Sequence, residues 1–346
     1  MTYLSSSDSQ AGAAIALVPI LEQDFSSWSE SAEPAHRAWA ESCGFKAKPG
    51  QVCVLPGSDS IDACIFGAQA DGWLGQLSPI ADKLPAGDYE LKADWNNAQR
   101  TQAALGWGLA HYRFDRYKKH PASGRRLVLD AEIESDVKAL CDAQSLVRDL
   151  VNTPTEDMGP RELAGAVEKQ AEEFGAECRT IVGRKLIARN FPAIHVVGRA
   201  SDRKPRLVHL KWGDKDAPRL TLVGKGVCFD SGGLDIKPAA GMATMKKDMG
   251  GAAHALALAR LVMQQKLPVR LELLVAAVEN SISGNAYRPG DIIPTRKGLS
   301  VEIGNTDAEG RVILSDALAY ACEREPDLLI DFATLTGAAR IAMGAD

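Results

Sequence analysis

The stretch Leu220-Thr221-Leu222-Val223-Gly224-Lys225-Gly226-Val227-Cys228-Phe229-Asp230-Ser231-Gly232-Gly233 opens as an apolar strand and closes in a polar, glycine-rich turn. A short, almost unbroken apolar run reads as a strand buried on both faces. After this turn, residues 250–265 read as a helix and Leu271-Glu272-Leu273-Leu274-Val275 as the next strand. The same alternation extends further. Residues 194–197, 207–210 and 328–332 read as strands, and residues 160–174 and 311–323 as helices. Apolar strands interleaved with helices predict a three-layer αβα domain around a mixed, largely parallel central sheet. Ligands of such sheets lie beyond the carboxyl ends of the strands. The polar residues after Val223 are therefore the first place to look for chemistry.

The chain has 346 residues, enough for about two domains at ~150 residues each. Residues 1–135 read as a separate N-terminal α/β domain, with strands at 14–18, 51–55 and 63–66 punctuated by Gly57, Gly67 and Gly72. A helix over 97–117 would place Ala103, Leu105, Leu109 and Tyr112 on one side. The basic run 118–126 (KKHPASGRR) reads as a solvated loop. Residues 136–159 form a connecting helix and linker, stopped by Asn152-Thr153-Pro154. Residues 160–346 make up the catalytic domain, whose first helix starts at Pro160.

Composition narrows the function. Apolar residues make up 45% and charged residues 25%, with a net charge of −5, so no global attraction draws the chain to nucleic acid or an anionic membrane. Nucleic acid is not an expected partner. Seven cysteines without a C-x-x-C suggest reduced thiols and a cytoplasmic setting. No apolar run is long enough to span a bilayer. The apolar stretch 13–21 has no Lys or Arg before it and reads as a strand rather than a signal peptide. There is no P-loop, no G-x-S-x-G and no H-E-x-x-H. The six histidines lack ligand spacing, and His195 and His209, inside apolar runs, read as core or edge histidines.

Three segments concentrate polar residues at expected strand ends: 223–237, Met245-Lys246-Lys247-Asp248-Met249-Gly250-Gly251, and Asn305-Thr306-Asp307-Ala308-Glu309-Gly310-Arg311. Each has an ordinary structural reading. Asp248 would cap the helix near Gly250, and Thr306 with Glu309 would form a capping box. Lys225 and Lys237 would be loop lysines. Taken together they form a cluster of four carboxylates, costly unless cations balance it. Asp307 and Glu309, two apart, point to one side of an extended stretch. Oxygen-rich sites suit Mn²⁺, Mg²⁺ or Zn²⁺.

These segments, followed by Ala333-Thr334-Leu335-Thr336-Gly337, resemble in order the active-site motifs of the leucyl aminopeptidase (M17-type) family. The heptapeptide 305–311 matches that family's signature in full, and the resemblance is dense from about Val151 onward. It implies two divalent metal ions, Mn²⁺ or Zn²⁺. Asp230, Asp307 and Glu309 would hold the more exchangeable one, and Lys225, Asp230, Asp248 and Glu309 the other. The Asp307 main-chain carbonyl would contribute, and Lys225 would have to be neutral to ligate. Lys237 would stabilise the oxyanion. Arg311 would hold a bicarbonate ion as general base, helped by backbone near Gly310 and Leu335. Met245, Asn305, Thr334, Gly337 and Ala338 resemble walls of the pocket for the first side chain, suited to leucine or methionine. Peptide substrates and a homo-hexamer are implied as partners. Family chains continue past the Thr334–Gly337 motif, so part of the sheet, of the pocket and of the oligomer contact surface is expected to lie outside this sequence.

Overall fold

The computed structural model describes residues 3–6 and 13–344, which divide into two compact units at Ser145/Leu146. The first unit contains β1 (Leu4–Ser6), β2 (Ile15–Leu21), α1 (Phe25–Ser31), α2 (Pro34–Ser42), β3 (Val52–Pro56), β4 (Ile61–Ala68), β5 (Gly87–Leu91), α3 (Asn97–Ala110) and β6 (Arg125–Leu129). α4 (Ala131–Asn152) crosses the boundary. The strands form one sheet in the order β1-β6-β5-β2-β4-β3. All neighbours are parallel except β3, which runs antiparallel to β4.

Asn96 opens α3 with a capping box closed by Gln99. The helix ends at Ala110, short of residue 117, and the Arg113 side chain donates to the Ala110 and Tyr112 carbonyls left free there, at 2.8 and 2.9 Å. Its buried face is Ala103, Ala104, Trp107 and Gly108, while Leu105 and Leu109 are only half-buried. In the basic run, Arg125 and Arg126 begin β6 rather than continuing a loop, and Arg126 grips Asp88 through paired bonds of 2.6 and 2.7 Å.

The second unit contains α5 (Pro160–Phe174), β7 (Glu177–Val182), α6 (Lys185–Ala188), α7 (Pro192–Gly198), β8 (Arg206–Trp212), β9 (Arg219–Asp230), α8 (Ala239–Met242), α9 (Gly250–Gln264) and β10 (Arg270–Asn280). A hairpin of β11 (Ile292–Pro294) and β12 (Ser300–Glu302) follows, then α10 (Glu309–Cys322), β13 (Leu328–Phe332) and α11 (Ala338–Met343). The sheet order is β13-β9-β10-β8-β7. β13, β9 and β10 are parallel, and β8 and β7 are antiparallel to their neighbours. The fold is thus mixed α/β, its three parallel strands running from the β13 edge to the middle of the sheet.

One expected strand is a helix. Residues 194–197 lie in α7, although their apolar, β-branched composition suits a strand. Pro192 occupies the first helical position. The carboxylate of Asp316, on α10, accepts the Ala193 and Ile194 amides at 2.8 and 3.2 Å. A helix start capped from 122 residues away leaves no local trace. His195 is consequently a half-buried helical residue. His209 is a buried histidine on β8, 2.9 Å from Glu272.

β9 is long because it carries the site. Along its length it is buried on both faces, between β13 and β10. Its register with β10 slips: Val227 pairs with Val278, but Phe229 pairs with Glu279. Cys228 is the extra residue of a β-bulge.

Candidate active site

Lys225 and Asp230 come from β9, Asp248 from the turn Met245–Met249 before α9, and Lys237 from the loop after β9. Asp307 lies in the turn Thr306–Ala308 and Glu309 starts α10. These elements meet beyond the carboxyl ends of the parallel strands, where such sheets bind ligands. Carboxylate oxygens of Asp230, Asp307 and Glu309 lie within 4.8 Å of one another. The Lys225 ammonium is 2.8 Å from Asp248 and 2.9 Å from Glu309. Lys237 is 2.9 Å from Asp230 and also contacts Asp307. Six of the seven charged residues expected from the sequence, all but Arg311, therefore form one cluster, and Lys225, Asp230, Asp248 and Glu309 are buried.

Burial and mutual repulsion raise the carboxylates. Burial pushes Glu309 up to about 8, with Asp230 and Asp248 adding to the rise and Lys225 opposing it. Burial likewise raises Asp248 and Asp307. On the lysines burial acts downward, but neighbouring acids outweigh it. Glu309 and Asp248 keep Lys225 above the usual amine value, and Asp307 and Asp230 do the same for Lys237. Four carboxylates against two ammonium groups leave an excess of negative charge. Asp248 Oδ2 and Asp307 Oδ1, though close to their lysines, lack hydrogen-bond geometry. An electron-rich, oxygen-dominated set with underused acceptors fits divalent cations.

The backbone is shaped around this cluster. A side chain at Gly310 would put its Cβ 2.6 Å from Lys225 Cε, so only glycine lets that ammonium reach the acids. Gly232, at φ +88°, turns the chain sharply after β9.

Neither capping expectation holds. Asp248 gives no cap to α9; its carboxylate instead accepts from the Thr334 hydroxyl at 2.7 Å. Asn305, not Thr306, caps the 306–308 turn, accepting the Asp307 amide at 2.7 Å. The Thr306 hydroxyl donates to the Gly232 carbonyl at 2.6 Å. Tertiary partners outcompete the local cap.

Among the expected pocket residues, Thr334 is thus tied to the cluster, and Met245 is half-buried beside it in sequence. Asn305, Leu335, Gly337 and Ala338 are exposed. Arg311 is exposed in the first turn of α10, with no ion pair among the described residues. Sequence reasoning missed the supporting shell. Buried Asn280, at the end of β10, donates to Asp230 at 2.8 Å and to the Thr306 carbonyl at 3.0 Å. The Tyr287 hydroxyl donates to the same carbonyl at 2.6 Å, and Asp235 accepts the Thr306 amide at 2.7 Å. The one available signal was a polar Asn closing an apolar strand.

Residues 145–346 match the catalytic domain of the cytosol aminopeptidase family, and residues 15–130 match the M17 aminopeptidase N-terminal domain. A probable cytosol aminopeptidase of Aquifex aeolicus is 42% identical over 245 residues, covering 68% of this chain and 50% of the relative. The crystal structure of cytosol aminopeptidase from Coxiella burnetii superposes with TM-score 0.94 at 46% identity, covering 99% of this chain and 75% of that one. The bottromycin maturation enzyme BotP in complex with Mn gives TM-score 0.83 at 31% identity, covering 96% of this chain and 75% of that one. The chain thus spans half of the Aquifex relative and three quarters of the two solved chains. With both of its domains matched in order and the acidic cluster assembled at the strand ends, this chain belongs to the M17 cytosol aminopeptidase family.

Proposed function

We propose that this chain carries the catalytic centre of a dinuclear-metal aminopeptidase that releases N-terminal amino acids, leucine- or methionine-like by preference, from peptides. The observation that supports this most directly is the joint burial of Lys225, Asp230, Asp248 and Glu309 against Asp307 and Lys237. Asp230, Asp307 and Glu309 would hold one divalent ion, and Lys225, Asp230, Asp248 and Glu309 a second, Mn²⁺ or Zn²⁺. The structure of BotP in complex with Mn supports Mn²⁺ for this chain. When bound, such ions acidify a water and polarise a carbonyl.

The protein's own groups have distinct tasks. Lys225 holds its proton here because two acids face it, and must lose that proton to act as a ligand. Lys237 keeps its charge and donates to the oxyanion that develops on the scissile carbonyl. Asp248, fixed by Thr334, would sit beside the substrate's free α-amine and so select chain ends. Arg311, unpaired and with a planar guanidinium, would seat a bicarbonate ion beside the Gly310 and Leu335 backbone. Met245, Asn305, Thr334, Gly337 and Ala338 would wall the first side-chain pocket. All seven cysteines are free, which favours a reducing, cytoplasmic setting. By the family resemblance the full assembly would be a homo-hexamer. No helix among the described residues is long and apolar enough to cross a membrane.

The test is hydrolysis of L-leucine p-nitroanilide with Mn²⁺ and bicarbonate. Turnover should vanish with a chelator, in Glu309→Gln, and with an N-acetylated substrate. Failure of a folded, metal-loaded chain to turn over the free-amine substrate would reject the reading.

A further inference from the structure

The catalytic unit carries a second concavity, of about 700 Å³, whose charged lining contains no acid. Arg184 enters it from the turn before α6 and Lys185 from the first position of α6, His195 and Arg199 from α7 and its C-cap, and Lys204 from the approach to β8. None of the four cations Arg184, Lys185, Arg199 and Lys204 makes an ion pair among the described residues. Several arginines of the same unit do pair. Arg203, adjacent in sequence, is 3.6 Å from Glu279 and also contacts Glu156. Arg260, Arg296 and Arg324 pair with Glu173, Glu323 and Glu272. Two acids stand behind hydroxyls of the lining itself, and a third, which Arg199 also attracts, pairs with Arg288. Glu168 accepts the Thr180 hydroxyl, Glu279 accepts the Ser201 hydroxyl, and Asp291 is held by Arg288.

Four like charges gathered round a concavity repel one another and focus a positive potential in it. His195 registers that field: burial, then Arg199 and Arg184, hold its imidazole below the usual histidine range. Arg199 is also oriented, its Nε donating to the Asn285 carbonyl at 2.8 Å while its terminal N–H groups make no bond among the described residues. Guanidinium forks and ammonium groups are suited to phosphate oxygens. One singly charged carboxylate would leave most of the four charges unbalanced, whereas a di- or triphosphate would neutralise them. The volume is that of a nucleotide-sized ligand.

We infer that this hollow binds a small polyphosphate-bearing anion, its phosphates seated among Arg184, Lys185, Arg199 and Lys204. The inference stands independently of the peptidase reading, since no residue of the acidic cluster lines the hollow. It is tested by calorimetric titration of the whole chain, at low ionic strength and without added divalent metal. The probes are sodium tripolyphosphate, ATP, and a double-stranded oligonucleotide. Saturable one-to-one binding of tripolyphosphate is expected. ATP binding equally or more tightly would point to a nucleotide as the source of the phosphates, and weaker ATP binding to the inorganic anion. Arg184→Glu combined with Lys204→Glu, both at exposed positions, should weaken binding about tenfold or more. The circular dichroism of that variant should be unchanged. Arg199→Gln, which removes charge without reversing it, serves as a milder second variant and should also weaken binding. Absence of saturation with the unaltered chain would overturn the inference. So would undiminished affinity in both variants, or oligonucleotide binding that tripolyphosphate fails to displace.

Discussion

Lys225 and Asp230 stand five residues apart on one strand and still face the same side of the sheet. In a regular strand, positions separated by an odd number point to opposite faces. Their partners on β10, Ala276 and Asn280, are four apart and share a face. The bulge at Cys228 supplies the missing residue and brings the strand's ammonium and its terminal carboxylate to one cluster.

Asn280 reads out that register, because its amide bridges Asp230 and the Thr306 carbonyl. Asn280→Ala removes one donor from each acceptor while Gly232 and Tyr287 still serve them, so the two lost bonds should cost about 0.5–1.5 kcal/mol each. It should also weaken Mn²⁺ binding by roughly 10- to 100-fold, as losses of supporting residues around a metal do. Urea melts and Mn²⁺ calorimetry check the two effects separately.

Gly310→Ala should force the Lys225 side chain aside, since the new methyl would fall 2.6 Å from Cε and 2.9 Å from Nζ. Overpacking of this kind costs about 1–3 kcal/mol, and peptide hydrolysis should fall with it. Gly241→Ala, whose Cβ meets nothing within 4 Å, is the control and should retain activity.

Asp316→Ala should destabilise the catalytic unit by roughly 2–4 kcal/mol, in the range of a broken buried network. It strips acceptors from the amides of Ala193, Ile194 and Arg296. Asp316→Asn keeps one carbonyl oxygen and should cost less. Denaturant midpoints compare the two.

Glu272 gives an acid-stability signature. Burial pushes its carboxyl up, but bonds to His209 and Arg324 outweigh this and hold it at about 2, against an ordinary 4.5. A folded-state value below the unfolded one contributes stability that is complete above the unfolded value. It is lost as pH falls through the folded value, here between about pH 5 and 2. The contribution is on the order of 3 kcal/mol. Urea midpoints should therefore drop steeply across that window, and Glu272→Gln should flatten the drop. An unchanged slope in the variant would show that other acids carry it.

The order of apolar and polar residues along the chain specified the layers of the fold and which charged residues would gather. Apolar runs of strand length alternating with helices pointed to a mixed sheet covered on both faces, because helices on either side bury such strands. Lys225, Asp230, Lys237, Asp248, Asp307 and Glu309 were legible because side-chain identity and order along the chain survive without coordinates. Contacts across long separations were decided only in the tertiary structure. Asp316 turned residues 192–198 into a helix against their β-branched composition. Thr306 and Asp248 gave up helix capping for Gly232, Asp235, Lys225 and Thr334. The bulge at Cys228 chose the face on which Asp230 emerges. A hydrogen bond between residues a hundred positions apart depends on where two backbones pass. Local propensities, each worth a fraction of a kcal/mol, do not encode that and are readily overridden by it.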